Sequence, residues 1–451
     1  MQMKKTETSL FVKGSVNYFG PFVAITTLFF LWGIAHGMLD TLDKNFQMML
    51  HLKKWQSSFI QFSLYGAYFG MAIPAGLFIK KHGYKKGIIL GLLLFAAGAL
   101  IASATAPFQS FILFLICLLI IGAGLATLET AANPYTTKLG PPLTAERRIN
   151  FSQSFNGLAW VIGPLIALYI YGNESHVEGK KMISIIFPFA IIGLIVLVIA
   201  FVFMRLRLPE ITEEDENMAH GAIVPASEPG DEIPDVTDPR YISRKPLWQN
   251  THFKMGFAAQ ACYVAAQTGV FSFLINFVTD RNMHPHFEVK NAPYFLSFGF
   301  LLFMIGRISG SALMKYFKPT RMLALYSLMI CLLLPIVAAE FGWLSLIALY
   351  GVFFFMSIMF PTIFALAIKS LGKHTKKGAS FLVMAVAGGA VFPPLMGAVA
   401  DAYGMALGFL VPIPLFAFIL YYALSGYKIK AGNDYDKTNS RTLRIKNAEI
   451  K

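Results

Sequence analysis

The side chains here that can do chemistry stand mostly in stretches otherwise made of hydrocarbon. His36 and Asp40 lie one turn apart in LFFLWGIAHGMLDTLDKNF. Glu129 comes just after FILFLICLLIIGAGLA, with Asn133 four residues on and on the same helical face. Gln153 and Asn156 share a face of INFSQSFNGLAW, and Gln260, Tyr263 and Gln267 form a 0, 3, 7 stripe in FAAQACYVAAQTGVFSFLINFV. A carboxyl taken out of water is cheaper neutral than charged, so Asp40 suits a group that binds and releases a proton. His36 would oppose protonation if charged, and the two would titrate as a pair, which makes His36 a candidate modulator of Asp40. Amides and phenols donate and accept hydrogen bonds without charge, which suits a neutral polyol.

Blander readings stand beside these. Asp40 would cap the outer end of a helix next to Asp43, and Glu129 would be an interfacial residue at a helix end. Asn and Gln also join membrane helices at modest energy. Arg307, in MIGRISGSAL, is either a partly snorkelling side chain or part of a structural ion pair or gate.

The framework that must hold these residues is membrane-spanning. The 451 residues are 56% hydrophobic, with a mean hydropathy of +0.59. Apolar runs of about 20 residues recur, the length needed to cross roughly 30 Å of hydrocarbon as a helix. Lone strands would leave backbone groups unsatisfied in lipid, so all spans are expected to be helical. Twelve are expected: 18–42, 56–79, 87–105, 109–135, 150–172 and 182–205, then 254–278, 293–316, 322–341, 343–368, 379–402 and 405–427. The first run is too long for the core of a cleavable signal peptide, and none is expected.

The formal charge of +14 sits largely in short loops: KKHGYKKG (80–87), ERR (146–148), KYFKPTR (315–321) and KSLGKHTKK (369–377). These alternate with weakly charged loops, which puts the basic set and both termini in the cytoplasm and explains the charge without nucleic acid. Cys117, Cys262 and Cys331 lie in apolar runs, without metal-ligand spacing, and read as small buried hydrophobes. No phosphate-binding loop and no nucleophile–base set occurs, so an enzyme or ATP-driven pump is not expected. Neither a metal nor a cofactor is expected. NES (173–175), in an outer loop, matches a glycosylation acceptor.

Residues 207–250 are acidic and proline-rich and read as a cytoplasmic linker between bundles 1–206 and 251–428, with a cytoplasmic tail at 429–451. The bundles look duplicated. Gly76 and Gly310 lie 234 positions apart, Pro134 and Pro361 lie 227 apart, and Pro164 and Pro394 lie 230 apart. Two six-helix bundles joined this way form the architecture of the major facilitator superfamily, and GLFIKKHGYKKG resembles its Gly-x-x-x-Asp-x-x-Gly-basic-basic loop, with Lys80 at the acidic position.

The segments LETAANPYTTKLGP (128–141), NFSQSFNGLA (150–159), AQACYVAAQTGVFSFLINF (259–277) and FMSIMFPTIFALAIKSLG (355–372) are more specific. On these the chain resembles the fucose–galactose–glucose:proton symporter family, nearest its L-fucose permeases. The resemblance implies import of a hexose driven by protons, by alternating access, in a bacterial inner membrane. It implies Asp40 as the proton site, Glu129 as the group coupling sugar to proton, and Gln153 and Asn156 as sugar ligands. The span-seven stripe of Gln260, Tyr263 and Gln267 belongs to the same pattern. Where the family's fucose permeases carry an Asn-Asn pair, this chain has His36-Gly37, an imidazole and a small residue in place of amides. That leaves galactose, glucose and N-acetylglucosamine open as substrates. Sodium coupling, drug–proton antiport and a sugar sensor on a transporter scaffold are the rival readings. The expected partners are a small neutral sugar, a proton and the bilayer, with the chain a monomer.

Overall fold

The computed structural model describes residues 11–13, 16–108, 110–140, 145–172, 188–209, 245–280, 287–314, 316–369, 371 and 374–429. Twelve helical spans lie among them, each long and apolar enough to cross a bilayer. In the first half they are Phe19–Met48, Lys54–His82, Tyr84–Thr105, Phe111–Thr136, Phe151–Tyr169 and Pro188–Arg205. In the second half they are Thr251–Val278, Ala292–Gly310, Pro319–Ala338, Trp343–Ile368, Lys377–Tyr403 and Met405–Gly426. They are called spans 1 to 12. A two-residue antiparallel pair, Val12–Lys13 with Val16–Asn17, precedes span 1. Most of the expected linker and tail, and the NES tripeptide, lie outside the described residues.

The packing repeats. Span 1 lies on span 5, span 2 on span 4, span 3 on span 4 and span 3 on span 6; six places on, span 7 lies on 11, 8 on 10, 9 on 10 and 9 on 12. The halves meet where span 5 touches span 8, span 2 touches span 11 and span 1 touches span 7. The first two of these contacts exchange under the same six-span shift, and the third maps onto itself.

Three sequence expectations need correcting. The helix of span 1 runs over Phe19–Met49 instead of stopping near 42, so Asp40 is well inside it and caps nothing. There Asp43 is buried and Lys44 half-buried and engaged by protein: the Lys44 ammonium donates to Asn276 Oδ1 of span 7 at 2.6 Å and to Gln47 Oε1 at 3.0 Å. Gly37, expected beside the pocket in place of an amide, faces the backbone of span 5. A Cβ there would meet Trp160 Cα at 3.1 Å, one at Gly33 would meet Ala159 Cβ at 2.7 Å, and one at Gly163 would meet Gly37 Cα at 2.7 Å. These residues let the backbones of spans 1 and 5 touch, as small residues do between membrane helices.

Arg307 answers a defect in span 10, which is two helices, Trp343–Met356 and Met359–Ile368. Pro361 has no N–H, so the Ser357 carbonyl loses its helical donor. Arg307 Nε supplies one at 3.3 Å, and its guanidinium lies 4.8 Å from the centre of the Phe303 ring. At the same break the Met356 carbonyl accepts from Tyr263 Oη at 2.9 Å. A buried carbonyl without a donor is costly, and both side chains relieve that cost.

Candidate functional site

Asp40 lies on the seam between halves and is 5% exposed. Its Oδ1 accepts from Gln61 Nε2 of span 2 at 2.6 Å and from Ser272 Oγ of span 7 at 2.9 Å. Beside it is a small cavity of about 10 Å³ lined by His36, Asp40, Gln61, Trp160, Gln267 and Ser272, among others. That is room for about one water, so a larger solute enters only when the halves part. Charge-bearing, amide, hydroxyl and aromatic groups converge there, which is what recognition of a small polar molecule requires.

His36 is held by its own helix. Nδ1 donates to the Trp32 carbonyl at 2.9 Å, and the ring is nearly parallel to Trp160, with centres 5.7 Å apart and planes 9° apart. The ring stands one turn from Asp40, and its hydrogen bond goes to Trp32 instead of the carboxyl.

Glu129 forms a second cluster. Its Oε1 accepts from Tyr68 Oη at 2.7 Å. Tyr68 packs against Tyr65, which lines the Asp40 cavity, with ring centres 6.2 Å apart, and the His36 ring contacts both tyrosines. Two tyrosines of span 2 thus stand between the two acids. Asn133 does not turn to Glu129 but accepts from Gln153 Nε2 at 3.4 Å, joining spans 4 and 5. Asn156 Nδ2 donates to the Phe29 carbonyl of span 1 at 3.0 Å. Glu129, Asn133, Gln153 and Asn156 remain half-buried, so each keeps surface for a further partner.

The stripe expected on span 7 divides by depth. Gln267 lines the cavity, but Tyr263 and Gln260 sit about 6 and 10 Å further along the helix, at about 1.5 Å per residue, and are fully buried. Both side-chain amide atoms of Gln260 are buried without a hydrogen-bond partner. In this structure neither Gln260 nor Tyr263 borders the cavity.

Residues 18–388 match the Major Facilitator Superfamily. The chain belongs to the major facilitator superfamily. Two curated relatives match over nearly their whole length. The L-fucose-proton symporter of Escherichia coli (strain K12) is 37% identical over 427 residues, 91% of this chain and 93% of that one. The glucose/galactose transporter of Brucella abortus biovar 1 (strain 9-941) is 34% identical over 425 residues, 94% of this chain and 97% of that one. Among solved structures, the superfamily transporter FucP in the outward conformation aligns with a TM-score of 0.66 at 34% identity, covering 91% of this chain and 99% of that one. The xylose transporter XylE from E. coli, at a TM-score of 0.65 and 10% identity over 89% of this chain and 98% of that one, shares the fold. Membership makes this chain a multi-pass membrane transporter and not an enzyme.

Within that superfamily fold, several site residues escaped sequence reasoning. Gln61 and Ser272 bind Asp40, Tyr68 binds Glu129, Trp160 stacks on His36, and Asn276 receives Lys44. One signal was available. Thr268, Ser272 and Asn276 recur every four residues, a second polar stripe on span 7, and Ser272 and Asn276 bond with span 1.

Proposed function

We propose that this chain imports a small neutral hexose, L-fucose or glucose/galactose, together with a proton, by alternating access. The observation that carries the reading is Asp40: a carboxyl enclosed at the seam of two bundles, bonded from the opposite half, on the wall of a cavity with amide and aromatic faces. Asp40 binds the proton. Neutralising it removes the cost of enclosing a bare charge when the halves close over it. Glu129, Gln153, Asn156 and Asn133 offer hydrogen bonds to sugar hydroxyls, Gln267 offers an amide from the second half, and His36 and Trp160 offer ring faces. Gln260 and Tyr263 would reach the sugar only in a more open arrangement of the second half. Sugar and proton need favour each other's bound state by only about 1–3 kcal/mol to be coupled.

The relatives, an L-fucose-proton symporter and a glucose/galactose transporter, support a hexose as the cargo. Loop charge supports both termini in the cytoplasm, with the Lys54 end of the bundle outside, and the bacterial relatives support an inner membrane. The repeated packing supports division into bundles 1–206 and 251–428; the reading takes 207–250 as a cytoplasmic linker, 429–451 as a cytoplasmic tail, and the chain as a monomer.

The test is uptake of labelled L-fucose into proteoliposomes under an imposed pH gradient, with a competition panel of hexoses. Uptake that follows the proton gradient at fixed sodium, and is competed by one of these hexoses, supports the reading. Uptake that follows sodium at fixed pH, or no hexose uptake at all, removes it.

A further inference from the structure

This inference rests on Asp40 being the proton site. The two donors to its Oδ1 belong to different bodies. Gln61 is in the same half as Asp40, so its bond moves with the carboxyl. Ser272 is in the opposite half, so its bond exists only while span 7 lies against span 1. Gln61 is 1% and Ser272 2% exposed, so in this closed arrangement both bonds are shielded from bulk water.

The end of the seam beyond Asp40 is tied shut. Lys44 reaches Asn276, and Asp401 of span 11 accepts from the backbone N–H groups of Lys54 and Trp55 at 3.3 and 3.1 Å. A Cβ on Gly397 would meet Trp55 N at 2.8 Å, so the backbone of span 11 lies directly against the start of span 2. Opening this end must part spans 1 and 7. It removes Ser272 from Asp40 and leaves Gln61 in place.

We propose that Ser272 is a positioning residue that links proton release to closure of the outer end. A hydrogen bond donated to a carboxylate favours its charged form. With the outer end open, Gln61 is the one donor the protein gives Asp40, and water supplies the rest. With that end closed, the Ser272 hydroxyl stands where that water cannot, offsets part of the cost of an enclosed carboxylate, and so lets the proton leave to the other side. The other groups facing Asp40 do not duplicate this switch. His36, Asp43 and Lys44 share its own helix, Tyr65 belongs to its own half, and span 7 presents Gln267 and Thr268, which do not titrate.

The test uses the full-length protein in proteoliposomes with labelled L-fucose, or galactose if that is the sugar carried. Internal pH is varied while external pH and membrane potential are fixed. Net uptake falls as internal pH drops, because the proton no longer leaves Asp40. Ser272→Ala takes away a donor to the charged form, so this fall occurs at a midpoint about one pH unit higher, the lower end of what a hydrogen bond to a charged group provides. Ser272→Thr keeps the hydroxyl and restores the wild-type midpoint. An unmoved midpoint in Ser272→Ala overturns the proposal. So does a Thr variant shifted as far as Ala, which would assign the effect to packing. If Ser272→Ala does not fold, Ser272→Cys, similar in size and a far weaker donor, must move the midpoint the same way. Asp40→Asn run in parallel separates the failures. Sugar accumulation by that variant on a pH gradient removes Asp40 as the proton site. Loss of accumulation there, with an unmoved Ser272→Ala midpoint, removes only this inference.

Discussion

Spans 1 and 7 hold matching places in the two halves and face each other across the seam, yet they bring opposite chemistry to it. The facing stretch of span 1 is ionisable, with His36, Asp40, Asp43 and Lys44 within nine residues. The facing stretch of span 7 is neutral, with Gln267, Thr268, Ser272 and Asn276. After duplication only one copy needs to carry the charge. The other then supplies dipoles that respond to the charge without adding a second titration, and a single bond, Ser272 to Asp40, can differ between states. Glu129 of span 4 extends the pattern: among the described residues the acids away from the span ends, Asp40, Asp43 and Glu129, belong to the first half, Asp401 being exposed near the end of span 11, while the deep cation of the second half, Arg307, is engaged with a broken helix.

The sharpest way to break this contrast is Asp40→Asn. Concentrative uptake is expected to fall by up to about 100-fold, the upper range of coupling between two ligands, while sugar exchange persists. Full accumulation on a pH gradient would put the proton elsewhere. Next in size is Glu129→Gln, expected to weaken apparent sugar affinity by about tenfold or more, since hydrogen bonds to a charged group are the stronger kind. Unchanged affinity in direct binding would leave Glu129 outside the sugar site. Tyr68→Phe takes one bond from Glu129 and leaves the ring between the two acids; a loss of about 5- to 10-fold in uptake is expected, smaller than that of Glu129→Gln measured in parallel. The smallest effect is expected in the second half. Gln260 already has no partner, so Gln260→Leu should leave uptake within about twofold and the melting temperature equal or higher. Abolished uptake there would show that the deep part of span 7 meets sugar in another state and that the neutral half does more than respond.

These contrasts were unequally legible beforehand. The twelve spans and the duplication could be read because hydropathy runs, loop charge and proline spacing are local properties of the chain. Asp40 and Glu129 could be picked out because a carboxylate among hydrocarbon is conspicuous wherever it points. Their partners could not, because Gln61, Tyr68 and Ser272 are ordinary polar residues until the rotation and height of one helix against another are fixed. The same ignorance cut span 1 short. Asp43 and Lys44 look like a helix reaching water unless Asn276 is known to stand opposite. It also put Gln260 and Tyr263 at the site, because a stripe gives the face of a helix but not the depth at which a neighbour seals it. Arg307 stayed ambiguous for a related reason: the carbonyl it serves is exposed by Pro361, fifty-four positions away in sequence.

The glycine seam between spans 1 and 5 has a mechanical consequence. With no layer of side chains between the two backbones, neither helix can slide or roll without collision, so Asp40 and the amides of Gln153 and Asn156 ride on one stiff plank. Cargo and proton seats keep a fixed separation while the opposite bundle swings. Inserting a single methyl at Gly37 would wedge that plank apart and is expected to uncouple the two seats, whereas one at Gly33 would also strike Asn156 Nδ2 at 2.9 Å and disturb the sugar seat itself.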